Sequence, residues 1–165
     1  MTFINNASSN ILDETTLTTT HTSAQSVSTT RAIITGSDIQ YTPTANSTHV
    51  LYQCAFQYIS NPDADTHLFV SLVNKTNIGD AWSYVADKSF AISVVDSAQS
   101  CSFENIEILV PTWSGSKYLA LYIRSALSST ETSLHQLKMD DSGYNTGNEN
   151  FVDTLTSCSS LRSGT

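Results

Sequence analysis

An all-β, antiparallel β-sandwich is the fold class this sequence predicts, and three observations predict it. Short stretches of alternating apolar and polar side chains recur along the chain, separated by turn residues at intervals of about ten positions. No stretch sustains a helical period of apolar residues. Ser and Thr number 26 and 22, or 48 of 165 residues, a composition that disfavours helix interiors and suits strands and turns. A chain of this length is expected to form one domain.

Residues 1–30 are rich in Thr, Ser and Asn, with no basic residue before Arg31. They read as an extended N-terminal arm of a sandwich spanning 31–157. Within the arm Phe3, Ile4, Ile11, Leu12, Leu17 and Val27 supply scattered apolar side chains, enough to order it against a partner as attachment residues; a mobile leader is the equal alternative.

Strand patterns then follow in order. Ile33-Ile34 precedes the turn pair Gly36-Ser37, and Ile39 and Tyr41 alternate up to Pro43, which would remove a ladder donor. After Asn46-Ser47-Thr48 the clearest strand places Val50, Tyr52, Cys54, Phe56 and Tyr58 on one face and Gln53, Ala55 and Gln57 on the other. Asn61-Pro62-Asp63 breaks it, and His67 to Val73 restarts the alternation with Leu68, Val70 and Leu72 inward. Asn74 to Asp80 reads as a loop. Trp82 to Val85 is an irregular piece, followed by a short strand carrying Phe90, Ile92 and Val94, with a turn at Asp96 to Ser100.

Phe103 to Val110 directs Ile106, Ile108 and Val110 to one face and ends at Pro111, before the turn Thr112-Trp113-Ser114-Gly115. Lys117 to Arg124 sets Tyr118, Ala120 and Tyr122 against Leu119, Leu121 and Ile123, so both faces of this strand are expected to be covered. Leu134 to Met139 and Phe151 to Thr156 complete the strands, on either side of a polar loop over residues 140–147. Residues 158–165 read as a polar C-terminal tail.

Charge and composition exclude several function classes. Seven Lys and Arg against fifteen Asp and Glu give a net charge of −8. That balance cannot supply the basic footprint needed for a phosphate backbone, so no nucleic acid partner is expected. Attraction to an anionic membrane fails for the same reason. No apolar run is long enough for a spanning helix, and Met1 to Asn10 lacks the basic-then-apolar order of a secretory leader. Cys54, Cys101 and Cys158 are widely spaced and read as buried small hydrophobes, not as a disulfide framework.

No linear motif carries catalytic chemistry. His21, His49, His67 and His135 lack the paired spacing of a structural zinc site. A nucleophile elbow, phosphate loop and dinucleotide fingerprint are all absent from the sequence. Asp140, Asp141 and Asn145 offer oxygens, but their spacing does not match a twelve-residue calcium loop. Neither a metal nor a cofactor is expected, nor is enzymatic activity. Most aromatic residues fall on strand faces as core. Trp82, Trp113 and Tyr144 lie beside polar turns and are the candidates for exposed contact, where a ring can bury area and keep a hydrogen bond.

Three segments carry a family resemblance: Gly36-Ser37-Asp38-Ile39-Gln40-Tyr41-Thr42-Pro43, Ser47-Thr48-His49-Val50-Leu51-Tyr52-Gln53-Cys54-Ala55-Phe56-Gln57-Tyr58, and Trp113-Ser114-Gly115-Ser116-Lys117-Tyr118-Leu119-Ala120-Leu121. With Leu134-His135, Asp140-Asp141-Ser142-Gly143 and Asn150-Phe151-Val152, the sequence resembles small β-sandwich domains of structural proteins from marine phages and other aquatic viruses. The resemblance implies a jelly-roll-like domain on the outer capsid surface of a virion, a homo-oligomer that in such proteins is often a trimer. It further implies a capsid decoration or knob protein whose partners are the major capsid protein or neighbouring virion subunits. A long shaft of repeats, which a complete tail fibre would carry, is missing from the sequence. The alternative it implies is a receptor-binding head that contacts a host glycan or surface protein.

Overall fold

The computed structural model describes residues 11–61, 66–94, 100–126, 131–135, 139–140, 143–144 and 153–162. Within them the chain is all-β and antiparallel, with two principal sheets. The strands are β1 (Ile11–Thr19), β2 (Gln25–Val27), β3 (Ala32–Ile33), β4 (Ile39–Tyr41), β5 (His49–Asn61), β6 (Thr66–Lys75), β7 (Ser83–Val94), β8 (Ser100–Pro111), β9 (Lys117–Ser125), β10 (Glu131–Leu134), β11 (Met139–Asp140), β12 (Gly143–Tyr144) and β13 (Thr154–Leu161).

In the first sheet β5 is central. β8 pairs along one edge from His49 to Ser60. The other edge is shared end to end by β13, opposite residues 49–55, and β10, opposite residues 58–61. β1 flanks β13, and β2 flanks β10. In the second sheet β6 lies between β7 and β9, and the outer edge of β9 takes both β3 and β4. β11 and β12 form a separate two-stranded hairpin.

The alternation read from the sequence becomes the core. Val50, Tyr52, Cys54 and Phe56 of β5 and Ile106, Ile108 and Val110 of β8 meet Leu68, Val70 and Leu72 of β6 and Leu119, Leu121 and Ile123 of β9 in one buried cluster. Each fully buried side chain of this size contributes about 1.5–3 kcal/mol relative to exposure. The sheets are also joined by hydrogen bonds. Between β3 and β4 the chain turns through Gly36 at φ 83°. A Cβ there would lie 2.7 Å from Thr19 Cβ, so only glycine fits. At this kink the Ser37 hydroxyl accepts from the Leu121 N–H at 3.0 Å. The Gly36 carbonyl accepts from Thr156 Oγ1 at 2.9 Å, reaching across from β13.

Several boundaries differ from those the sequence suggests. Residues 11–19, expected in an extended N-terminal arm, form β1 with a ladder to β13, and Val27 is 7 % exposed within the core. Leu12 is half-buried. β1 reads as an arm because it is an edge strand whose side chains are mostly exposed, while one side of its backbone pairs with β13. At the other end, Cys158 to Leu161 continue β13, with Cys158, Ser159 and Ser160 buried, where a polar tail was expected. The irregular piece at Trp82–Val85 and the strand after it form one strand, β7, with a wide bulge. Four residues, 85–88, stand against Leu72 alone between the pairs Ser71–Ser89 and Val73–Tyr84. Leu134–Met139 is not one strand: β10 ends at Leu134 and β11 begins at Met139. The polar loop begins inside the β11–β12 hairpin, where Asp140 faces Gly143. Phe3, Ile4, the break at Pro62-Asp63, most of the Asp96–Ser100 turn and Asn145 to Val152 lie outside the described residues.

Candidate functional site

The outer face of the second sheet is built by the residues that alternate with its core side chains. The rows across β7, β6 and β9 are Ala91–Phe69–Arg124, Ser89–Ser71–Tyr122 and Tyr84–Val73–Ala120. The short side chains of Ser71, Ser89 and Ala91 among the larger Phe69, Tyr84, Tyr122 and Arg124 leave a groove of about 480 Å³, within the range of small-ligand clefts. Arg31, which precedes β3, closes one side beside Arg124. The wide bulge of β7 falls between Tyr84 and Ser89, both of which line the groove. Such irregularities re-aim side chains where a flat strand could not.

Two guanidinium groups define the electrostatics. Arg124 lies over the Phe69 ring at 4.3 Å from its centroid, and Arg31 over the Tyr84 ring at 5.1 Å. Tyr84 and Tyr122 pack at 5.9 Å with a 56° tilt. The rings hold the planar cations in place by cation–π attraction and leave their N–H edges to act as donors. Ser89 Oγ donates to Ser71 Oγ at 2.8 Å on the floor. No carboxylate is among the groove's described lining residues. Two further cations, Lys75 over Trp82 and Tyr118 and Lys117 near Trp113, also belong to this sheet. With Lys88 in β7, five of the seven Lys and Arg lie on or beside the second sheet of this strongly acidic protein.

The outer face of the first sheet has a different character. Phe103, Leu155 and Leu109 are 61 %, 48 % and 44 % exposed, interspersed with Gln53, Ala55, Asn105 and Ser157. Glu14 and Glu107 are its nearby charges, and Glu107 accepts from Gln53 Nε2 at 2.8 Å. On the edge strand β1, Ile11 and Leu17 are also substantially exposed.

The residues singled out in the sequence are not gathered into one site. Trp82 is half-buried beneath Lys75 Nζ, 4.4 Å from its ring centroid. Trp113 is half-buried against the core, edge-on to Tyr41 at 6.4 Å, and its buried Nε1 has no hydrogen-bond partner. Tyr144 sits in β12. Of the attachment candidates, Ile11 and Leu17 present exposed surface, whereas Val27 is occupied by the core. Sequence reasoning missed Arg31 and Arg124. The signal was their scarcity: two of seven cations fall directly before β3 and at the outward position after Tyr122.

Sequence reading also missed a histidine pair. His21 and His135 stack with centroids 3.6 Å apart and planes 7° from parallel. Thr154 Oγ1 bridges them, 2.8 Å from His21 Nε2 and 3.2 Å from His135 Nδ1. His135 Nε2 is buried without a partner. Burial, and then the neighbouring His21, push the His135 pKa down to about 3. Burial also lowers that of His21, against an opposing effect of Asp153. No group of three or more potential metal ligands occurs among the described residues. This pair is positioned as interior packing behind β13.

No protein-family model matches this chain, and no curated protein matches it.

Proposed function

We propose that this protein is a non-enzymatic structural protein of a virion, a jelly-roll display module mounted as a decoration or knob on the outer capsid surface. The observation that carries this reading is the apolar-spotted outer face of the first sheet, where Phe103, Leu155 and Leu109 stand exposed. Phe103 and Leu155 line one depression on this face, and exposed apolar patches mark interaction sites. The strand order supports the finer fold. One sheet carries β1-β13-β5-β8, with β10 and β2 at the far end of β5, and the other β3/β4-β9-β6-β7, an order compatible with the four-by-four double Greek key of a jelly roll. That architecture serves viral capsid and lectin domains alike, so the surface, not the fold, decides between roles.

In this reading the first sheet's outer face and the exposed side chains of β1 lie against the shell or a neighbouring subunit, and the second sheet faces outward. Repetition over many copies multiplies the strength of a modest contact. The test is quantitative gel analysis of purified particles carrying the wild type, Phe103→Ser or Leu155→Ser. Reduced occupancy of both variants at unchanged thermal stability is expected. Undiminished occupancy contradicts attachment through this face, and absence of the wild-type protein from particles contradicts the virion role itself. A receptor-binding head is the second reading, favoured by the cationic, aromatic groove on the opposite face.

A further inference from the structure

We infer that the groove on the second sheet binds a carboxylated sugar, a uronic acid unit of an acidic polysaccharide. The inference deepens the receptor-binding reading and does not depend on how the module is mounted.

Three features narrow the ligand class. First, the guanidinium groups of Arg31 and Arg124 converge on one groove and have no carboxylate partner within the described structure. A planar fork of N–H donors matches a carboxylate in a bidentate pair. In a protein of net charge −8, two neighbouring cations with no carboxylate partner among the described residues, held on aromatic rings, suit an incoming anion. Second, the floor offers the Ser71 and Ser89 hydroxyls, and Tyr122 and Tyr84 add phenolic oxygens at the margin. These uncharged donors and acceptors suit sugar hydroxyls. Third, one face each of Phe69 and Tyr84 is already covered by a guanidinium, and Tyr122 is tilted against Tyr84. No stack of bare parallel rings is offered for nucleobases, which single-stranded nucleic acid binding uses together with a continuous basic track. A ring bearing hydroxyls and one carboxylate satisfies all three features.

Isothermal titration of the intact protein with trigalacturonate, maltotriose and inorganic phosphate tests this directly. Saturable binding of trigalacturonate that weakens with added salt is expected, with no comparable binding of the other two. Arg31→Gln and Arg124→Gln each weaken it about tenfold or more, and Arg31→Lys and Arg124→Lys, which retain charge but lose the fork, fall between. The lysine variants also keep the test decisive if a glutamine variant loses its fold. Equal binding of maltotriose or phosphate, no saturable trigalacturonate binding, or binding indifferent to both arginines overturns the assignment. A glycan array separates the two levels of the reading. Binding to a glycan lacking carboxylates that is lost in Arg124→Gln overturns only the uronic acid class, whereas no array binding at all overturns the groove as a glycan receptor site as well.

Discussion

The Tyr52 hydroxyl, on the central strand of the first sheet, donates to the Ser37 carbonyl at 2.6 Å, inside the kink that divides β3 from β4 on the second sheet. Tyr52 is fully buried, and burial raises its phenol pKa well above the ordinary value, so it remains a neutral donor. The bond ties the two layers together where the ladder of β9 is interrupted. Tyr52→Phe leaves the ring's packing intact and removes the donor. A loss of about 1–3 kcal/mol is expected from stranding a buried acceptor, read from urea unfolding with an unchanged m-value.

The two positive-φ glycines among the described residues offer a controlled comparison. Gly36→Ala combines a left-handed backbone with a Cβ driven against Thr19, whereas Gly115, at φ 76°, has open space around it. Gly115→Ala is expected to cost about 1–2 kcal/mol through backbone conformation alone. Gly36→Ala should cost clearly more, and thermal melts of the two variants side by side check the order.

The stacked histidines predict a stability that depends on pH. The folded state holds His135 neutral down to about 3, while the unfolded chain protonates near the ordinary value of about 6.5. The unfolded state therefore binds more protons below that value, and stability present above it is lost as pH falls. The slope is about 1.4 kcal/mol per pH unit for one proton, and His21, shifted in the same direction, adds to it. His135→Asn, which tolerates the positive φ of 67° at this position, is expected to flatten the profile between pH 6.5 and 5. Urea midpoints across that window measure the difference.

Cys54 and Cys158 are fully buried, and burial pushes their thiols up to about 11 and about 12. The thiolate is the reactive form. Alkylation of the native protein at mildly alkaline pH should leave both unmodified by mass spectrometry, and both should label in denaturant.

What was legible in the sequence was whatever period two controls. The inward face of β5, the β8 face at Ile106 to Val110 and the two-sided β9 all follow from alternation, because a strand packed on a core must alternate. β13 was misread for the opposite reason. Its inward positions are Thr154, Thr156, Cys158 and Ser160; the first two fall in the expected strand Phe151–Thr156, while the hydroxyl-rich stretch from Cys158 onward reads as a tail. Each hydroxyl has a partner across or beside the interior: Thr156 with the Gly36 carbonyl, Ser160 with the Tyr41 hydroxyl at 2.6 Å, and Thr154 with the histidines. A satisfied hydroxyl is inexpensive to bury, and one-dimensional pattern cannot reveal partners more than a hundred residues away. The groove was illegible for the same cause. Arg31, Phe69, Tyr84 and Arg124 belong to four separate segments that only strand order brings together.

The division of labour between the two outer faces is tested most directly by mapping amide shifts in the isotope-labelled protein as trigalacturonate is added. Perturbations are expected at Arg31, Phe69 to Ser71, Tyr84, Ser89 to Ala91 and Tyr122 to Arg124, with Gln53, Ala55, Phe103 and Leu155 unmoved. Shifts concentrated on the latter set, or no saturable shifts at all, would contradict it.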